Sequence, residues 1–457
     1  MKQQKAQVRP NGAASPRILI TDTNRTPVVP RLAMRLHKLG SQVGVLCVMP
    51  GNPIACLHPR INIFPYRGLH PVAALRTAIQ MYGPTLVVPA CDRTVQHLHD
   101  LYSMELAAGR KDRGIASLIE RSLGPPKSFP IVSSRDALLR IAREEGIRVP
   151  QFCAICDVAE LKHWSKEVQP PWVIKADGTW GGRGVRIVHS FAEGHERLRE
   201  LTDQAGTLEL FKRMFLNRDR DWVYQDWNRP RPSIVAQSFI QGRPANCAVV
   251  CHDGKLLAAI AVEVVQTQGA TGPATVVQLV EGREMIDAAR RIAKRLRLSG
   301  FFGLDFVIEN RTGATNLIEM NPRCTPPCAL PLGNGRDLVA ALWQQLTNQS
   351  FSDSPSTISQ RRIVYFPQIS PRNGGPDPLL VNSYLDIPEG EPALVERMLN
   401  PRPLRSVLGQ LVDCAKLQLS RDTSPSTVLF ESPITAQPAV AAHLEGAAQQ
   451  LVKTSSL

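Results

Sequence analysis

The chain has 457 residues, 43% of them hydrophobic, which is enough to bury substantial cores in two or three domains. No run approaches the roughly 18 apolar residues that span a bilayer. The N-terminus MKQQKAQVRPNGAASPR lacks the apolar stretch of an export signal, so a cytoplasmic protein without a membrane segment is expected. A net charge of +14 is compatible with nucleic acid or with an anionic substrate or nucleotide. The basic residues are interleaved with acids, as in Arg218-Asp219-Arg220-Asp221, and aromatics make up only 5%, which does not favour nucleic acid. Ten cysteines include Cys153/Cys156 spaced C-x2-C, and Cys247/Cys251 and Cys324/Cys328 spaced C-x3-C. With no accompanying histidine cluster, buried thiols in a reducing compartment are expected rather than zinc.

After an N-terminal tail over 1–15, expected to be mobile, Arg17–Thr21 reads as a buried strand. A helix over Val29–Leu39, a strand over Val43–Val48, a helix over Pro71–Met81 and a strand over Pro84–Val88 follow. Strands alternating with helices predict a parallel α/β domain over residues 16–125. The first strand-to-helix loop, Asp22-Thr-Asn-Arg, has no GxGxxG pattern, so a dinucleotide site of that kind is unsupported. Cys91, Asp92 and Arg93 lie just past a strand end, where parallel sheets commonly place substrate groups, and an ordinary loop fits there equally well.

A second domain is expected over 126–348. Ser134 caps a helix that Gly146 stops. The stretch Lys175–Val185, KADGTWGGRGV, lies between two β-type runs, Pro171–Ile174 and Arg186–Val188. Strand, glycine loop, strand is the layout of a hairpin flap whose backbone N–H groups can approach an anion, with Lys175 adding positive charge at its base. A glycine hairpin without a ligand also fits this stretch taken alone. His195–Phe215 and Glu284–Leu298 read as helices, and Ser233–Ile240, Ala248–Cys251 and Leu256–Glu263 as strands, the last two meeting across Asp253-Gly254. Gly269–Val277 reads as a second small-residue loop. Phe302–Ile308 and Asn316–Asn321 form a predicted hairpin. Alternation sets Glu319 and Asn321 on one face, with Asp305 on the partner strand. Three oxygen ligands without His or Cys suit Mg²⁺ held together with phosphate, although acids on strands are as often solvent-facing. Arg323 follows two residues later.

The order Arg135…Gly146-Ile-Arg-Val-Pro150, Lys175 with its glycine flap, Gln237-Ser-Phe-Ile240, then Asp305…Glu319-Met-Asn321-Pro-Arg323 resembles the ATP-grasp superfamily, nearest to its carbamoyl-phosphate-synthetase-like and biotin-carboxylase-like ligases. The resemblance covers about residues 130–345 and, weakly, the α/β region before them. It implies an α/β and α+β protein: a parallel pre-ATP-grasp domain, then a two-lobed ATP-grasp domain with antiparallel sheets and a flexible small lobe at about 150–240. It further implies ATP phosphates on Lys175 beneath a flap closed by Gly181, Gly182 and Gly184, with Arg135 where relatives usually carry lysine. Adenine would meet the hinge Gln237, Ser238, Phe239 and Ile240, in a slot lined by Val173 and Ile318. The carboxylate that often holds the ribose is replaced by Gln237 or Ser238. Asp305, Glu319 and Asn321 would hold Mg²⁺, or Mn²⁺ in its place.

The implied activity is ADP-forming ligation of a small-molecule carboxylate, activated as an acyl-phosphate, to an amine, with Lys175 and Arg323 as catalytic residues. A phosphotransferase and a non-catalytic nucleotide-binding protein are the alternatives. Glu263 and the Gly269–Val277 loop are candidates to face the acceptor. Trp180, at the flap tip, and Cys324-Thr-Pro-Pro-Cys328 depart from relatives. Residues 349–457 read as an extension. It has a linker over Ser350–Ser359, a strand over Ile363–Phe366, a loop over Pro371–Pro376, a helix over Glu391–Leu399 and a mobile end from Ser420, and a homo-oligomer is compatible with it.

Overall fold

A computed structural model describes residues 15–49, 51–67, 70–110, 114–178, 184–202, 233–269, 272–333, 335–349, 358–369 and 379–400. Residues 1–14, the flap tip with Trp180, Gly181 and Gly182, the second half of the helix expected to reach Phe215, most of the 350–359 linker, the 371–376 loop and the 420–457 stretch lie outside the described residues.

The first sheet is wholly parallel, in the order β3-β2-β1-β4, from β1 (Arg17–Asp22), β2 (Gln42–Cys47), β3 (Asn62–Pro65) and β4 (Leu86–Pro89). β1 and β4 are buried along almost their whole length, which is why they read as unbroken apolar runs. Helices α1 (Val28–Lys38), α2 (Pro71–Tyr82), α3 (Asp92–Ala107) and α4 (Ile115–Leu123) cover it. A single turn, α5 (Phe129–Val132), leads to α6 (Arg135–Glu144), whose N-cap Ser134 accepts from the Ala137 N–H.

A small antiparallel sheet follows, ordered β5-β8-β6-β7, from β5 (Phe152–Ala154), β6 (Trp172–Ala176), β7 (Val185–Val188) and β8 (Ile234–Ser238). It packs on α7 (Val158–Glu167) and α8 (Phe191–Thr202) through Leu161, Trp164, Trp172, Ile174 and Leu198.

The third sheet has seven strands in the order β13-β12-β9-β10-β11-β14-β15. They are β9 (Gly242–His252), β10 (Lys255–Thr267), β11 (Ala274–Val280), β12 (Gly300–Glu309), β13 (Thr315–Asn321), β14 (Arg362–Val364) and β15 (Ser383–Leu385). The β9–β10 hairpin turns at Asp253 and Gly254, both at positive φ (44° and 79°), as a two-residue turn requires. One face is covered by α6 and α9 (Arg283–Leu296). Met285, Ala288, Ala289, Ile292, Ala293 and Leu296 recur at three- and four-residue steps to make the buried stripe of α9. The other face meets α1, α10 (Leu338–Thr347) and α11 (Pro392–Leu399) in a core that runs on into the parallel sheet.

One expectation changes. The last four residues of the expected second small-residue loop, Ala274–Val277, are strand, because they pair with β10. The described part of the C-terminal extension packs onto the domains before it, since β14 joins β11 in the large sheet and α11 reaches the parallel sheet's core. Arg31 of α1 fastens it there, donating to the Phe366 carbonyl at 2.7 Å and pairing with Asp386 at 3.1 Å.

Trp172 is fully buried, and its Nε1 donates to the Val168 carbonyl at 3.0 Å. Trp172→Ala is expected to destabilise the small lobe by about 3–5 kcal/mol. Urea unfolding measures this; a loss below about 1 kcal/mol contradicts it.

Candidate active site

Strand β6 ends by delivering Lys175 into the seam between the small and large sheets. Its side chain is 4% exposed, and Nζ donates to the Ile318 carbonyl on β13 at 3.4 Å. Burial lowers the Lys175 pKa from 10.5 to about 8, against the opposing pull of Glu319 and Asp305. A buried ammonium with one distant carbonyl acceptor is a cation held ready for an anion.

Arg135, the first residue of α6, ties the pieces together. Nη1 donates to the Ala176 carbonyl at 2.8 Å and to Asp177 at 2.9 Å, and Nη2 donates to Glu319 at 2.6 Å. Burial opposes its charge, but Glu319 and Asp177 outweigh that and raise its pKa. The Asp177 carboxylate also receives the Arg135 backbone N–H, so it sits at the positive end of α6. The flap base, the helix start and the acidic hairpin thus share one guanidinium.

The hairpin pairs Asp305 with Glu319 and Gly303 with Asn321, with a register shift just beyond Asp305. Asn321 donates its amide to Asp305 Oδ2 at 2.9 Å, and Asn246 on β9, opposite Asp305 in register, donates to Oδ1. Burial and the Glu319 charge raise the Asp305 pKa, partly offset by those amides. Asn246 Oδ1 is buried with no hydrogen-bond partner. An orphan amide oxygen beside two carboxylates, all hard donors, fits Mg²⁺ or Mn²⁺. Arg323 donates through Nη2 to Asn321 Oδ1 and through Nε to Asp92 Oδ2, both at 2.9 Å.

The hinge residues lie beside this cluster. Gln237 is buried, opposite Val173 in register, and its amide donates to the Ile318 carbonyl at 3.3 Å. Ser238 Oγ accepts from the Gln151 N–H at 3.1 Å, so the side chains of Gln237 and Ser238 are both engaged by the protein. Phe239 is exposed and Ile240 half-buried, while the Gly184 carbonyl accepts from the Ala176 N–H at 3.0 Å and closes the flap's described base. Glu263 does not join the group: it pairs with Arg243 across β9 and β10.

The ATP-grasp domain family matches residues 135–327, from the first residue of α6 to just past Arg323. Residues 135–327 are an ATP-grasp domain. Over 289 residues the chain is 26% identical to the carbamoyl phosphate synthase large chain of Thermus thermophilus, covering 61% of this chain. The match takes in 24% of that relative, so the chain spans about a quarter of its length. The fold is shared with N5-carboxyaminoimidazole synthetase from Staphylococcus aureus complexed with ADP (TM-score 0.51, 12% identity, 74% of this chain and 79% of that one). It is also shared with biotin carboxylase from Campylobacter jejuni in a beta-gamma-ATP complex (TM-score 0.52, 14% identity, 74% and 72%). Among the described residues, no helix is long and apolar enough to cross a membrane.

Two residues of the cluster, Asp177 and Asn246, escape a reading of the sequence, and a third, Asp92, enters it only as part of a strand-end loop. Asp177 was within reach, since a residue two beyond Lys175 shares its face. Asn246 carries no local signal, because only the pairing of β9 with β12 brings it to Asp305. Asp92 is marked only by its place after a parallel strand.

The Lys175 titration yields a pH prediction. Between about 8 and 10.5 the unfolded chain holds a proton that the folded one has lost, so this residue's contribution to stability rises with pH across that window. A bound polyphosphate favours the ammonium, so binding above pH 8 takes up a proton. Nucleotide affinity, measured by titration calorimetry, is expected to fall as pH rises past about 8, and Lys175→Met is expected to remove that fall.

Proposed function

We propose that this chain is an ATP- and Mg²⁺-dependent ligase that activates a small-molecule carboxylate as an acyl-phosphate for attack by an amine, releasing ADP and phosphate. The observation that carries the reading is the buried Lys175 ammonium in the field of Glu319 and Asp305, at the start of the glycine stretch Lys175–Val185. Phosphate oxygens would take the place of the weak Ile318 contact on Lys175. The adenine would lie against the hinge Gln237–Ile240, between Val173 and Ile318. Mg²⁺, held by Asp305 and Glu319 with Asn246 alongside, would neutralise charge on the transferring phosphoryl group, while Asn321, expected as a third ligand, spends its oxygen on Arg323.

Electrostatics support the magnesium complex, rather than free nucleotide, as the species bound. Three cations, Lys175, Arg135 and Arg323, face four carboxylates, Asp92, Asp177, Asp305 and Glu319, so the cluster is anionic overall. A free triphosphate entering it meets net repulsion, which a divalent cation reverses. Activating a carboxylate this way needs no side-chain nucleophile. That agrees with Cys324 and Cys328, which are fully buried with their thiol pKa values pushed up by desolvation.

The test is an ADP-release screen over carboxylate and amine pairs, with mass spectrometry of the products. Lys175→Ala and Glu319→Ala are each expected to lower ADP production at least about a hundredfold with the fold intact by circular dichroism. A stable phosphorylated product without a ligated species would point to phosphotransfer instead.

A further inference from the structure

Arg323 lies within the ATP-grasp match, but its ionic partner does not. Asp92 opens α3, directly after β4 of the parallel sheet, 231 residues earlier in the chain. The guanidinium bridges Asp92 Oδ2 and Asn321 Oδ1, at 2.9 Å each, and Nη1 reaches the Cys324 carbonyl at 3.4 Å. A guanidinium only donates and a carboxylate only accepts. Lying between Arg323 and Asp305, the Asn321 amide therefore has one orientation: oxygen to the cation, nitrogen to the anion. Asn321 is the spacer that keeps the two charges apart.

We propose that Asp92 is a positioning residue of the ligase site, holding Arg323 on Asn321 and off Asp305, so that the Asp305 carboxylate stays available to a divalent cation. This rests on the metal-dependent reading above. Without Asp92, Asp305 is the carboxylate already bonded to the same asparagine as Arg323, and an arginine–carboxylate pair is strong enough to compete with a metal for its ligand. Asp92 is suited to restraining it. Its carboxylate stands in the first turn of the 16-residue helix α3, where the dipole favours negative charge, and α3 packs against α2, α4 and β4. The parallel sheet thereby contributes to a site whose other members lie between residues 135 and 323.

The experiment measures Mn²⁺ affinity of the full chain in the presence of a non-hydrolysable ATP analogue, by electron paramagnetic resonance of free Mn²⁺. Asp92→Asn is expected to weaken Mn²⁺ binding at least about fivefold, and Asp92→Glu to restore most of it. In an Arg323→Gln background, Asp92→Asn is expected to have no further effect, because the competitor is gone. Unchanged affinity in Asp92→Asn overturns the proposal. So does an equal loss with and without Arg323, which assigns the effect to the charge of Asp92 alone. Should Asp92→Asn fail to fold, the double variant leaves no charge unpaired, and comparing it with Arg323→Gln decides the question: equal affinity supports the proposal, weaker binding in the double overturns it. Absence of Mn²⁺ binding in the unmodified protein removes the metal site itself, and the proposal with it.

Discussion

A single buried guanidinium, that of Arg135, joins three parts of the chain. It binds the Ala176 carbonyl and Asp177 at the flap base, and Glu319 on the acidic hairpin, from the first position of α6. Burying that charge costs several kcal/mol, and two carboxylates offset the cost only because the planar fork reaches both at once. An ammonium at this position keeps the charge but is a compact point charge without that fork. An arginine rather than a lysine at position 135 therefore sets how the lobes are tied together.

Charge balance then propagates outward. Glu319 is shared between Arg135 and the field of Lys175, Asp305 is bracketed by two amides, and Arg323 is divided between Asn321 and Asp92. Within this cluster, every arginine holds at least one carboxylate and every carboxylate is restrained by a donor or a charge. The groups left open are the weakly held Lys175 ammonium, the orphan oxygen of Asn246 and the buried Nε of Arg135. A site that leaves one cation and one neutral oxygen open is shaped for an anion and a metal arriving together.

The packing of the rest of the molecule serves this arrangement. One hydrophobic core runs from the parallel sheet through α1 and α10 to the large sheet and on to α11. The Asp92–Arg323 pair consequently spans two sheets held in one core. The small sheet has its own core around Trp172, Leu161 and Trp164, so the flap rests on a separate unit joined to the rest through Arg135 and the hinge.

Much of this was legible along the chain because its causes are local. Alternation placed Glu319 and Asn321 on one face, unbroken apolar runs marked the parallel strands, Ser134 marked the start of α6 and Asp253-Gly254 the hairpin turn. The loop expected over Gly269–Val277 was misread because small residues signal turns, whereas Ala274–Val277 is held as strand by a neighbour. By itself the sequence determined the flap lysine, the acidic hairpin and the order of the motifs, since each follows from residues within a few positions of one another. The tertiary structure alone decided that Asp177 and Glu319 share Arg135, that Asn246 faces Asp305, and that Asp92 restrains Arg323. Those pairings join residues from 42 to 231 positions apart, where strand register and sheet packing set the distance and no local pattern does.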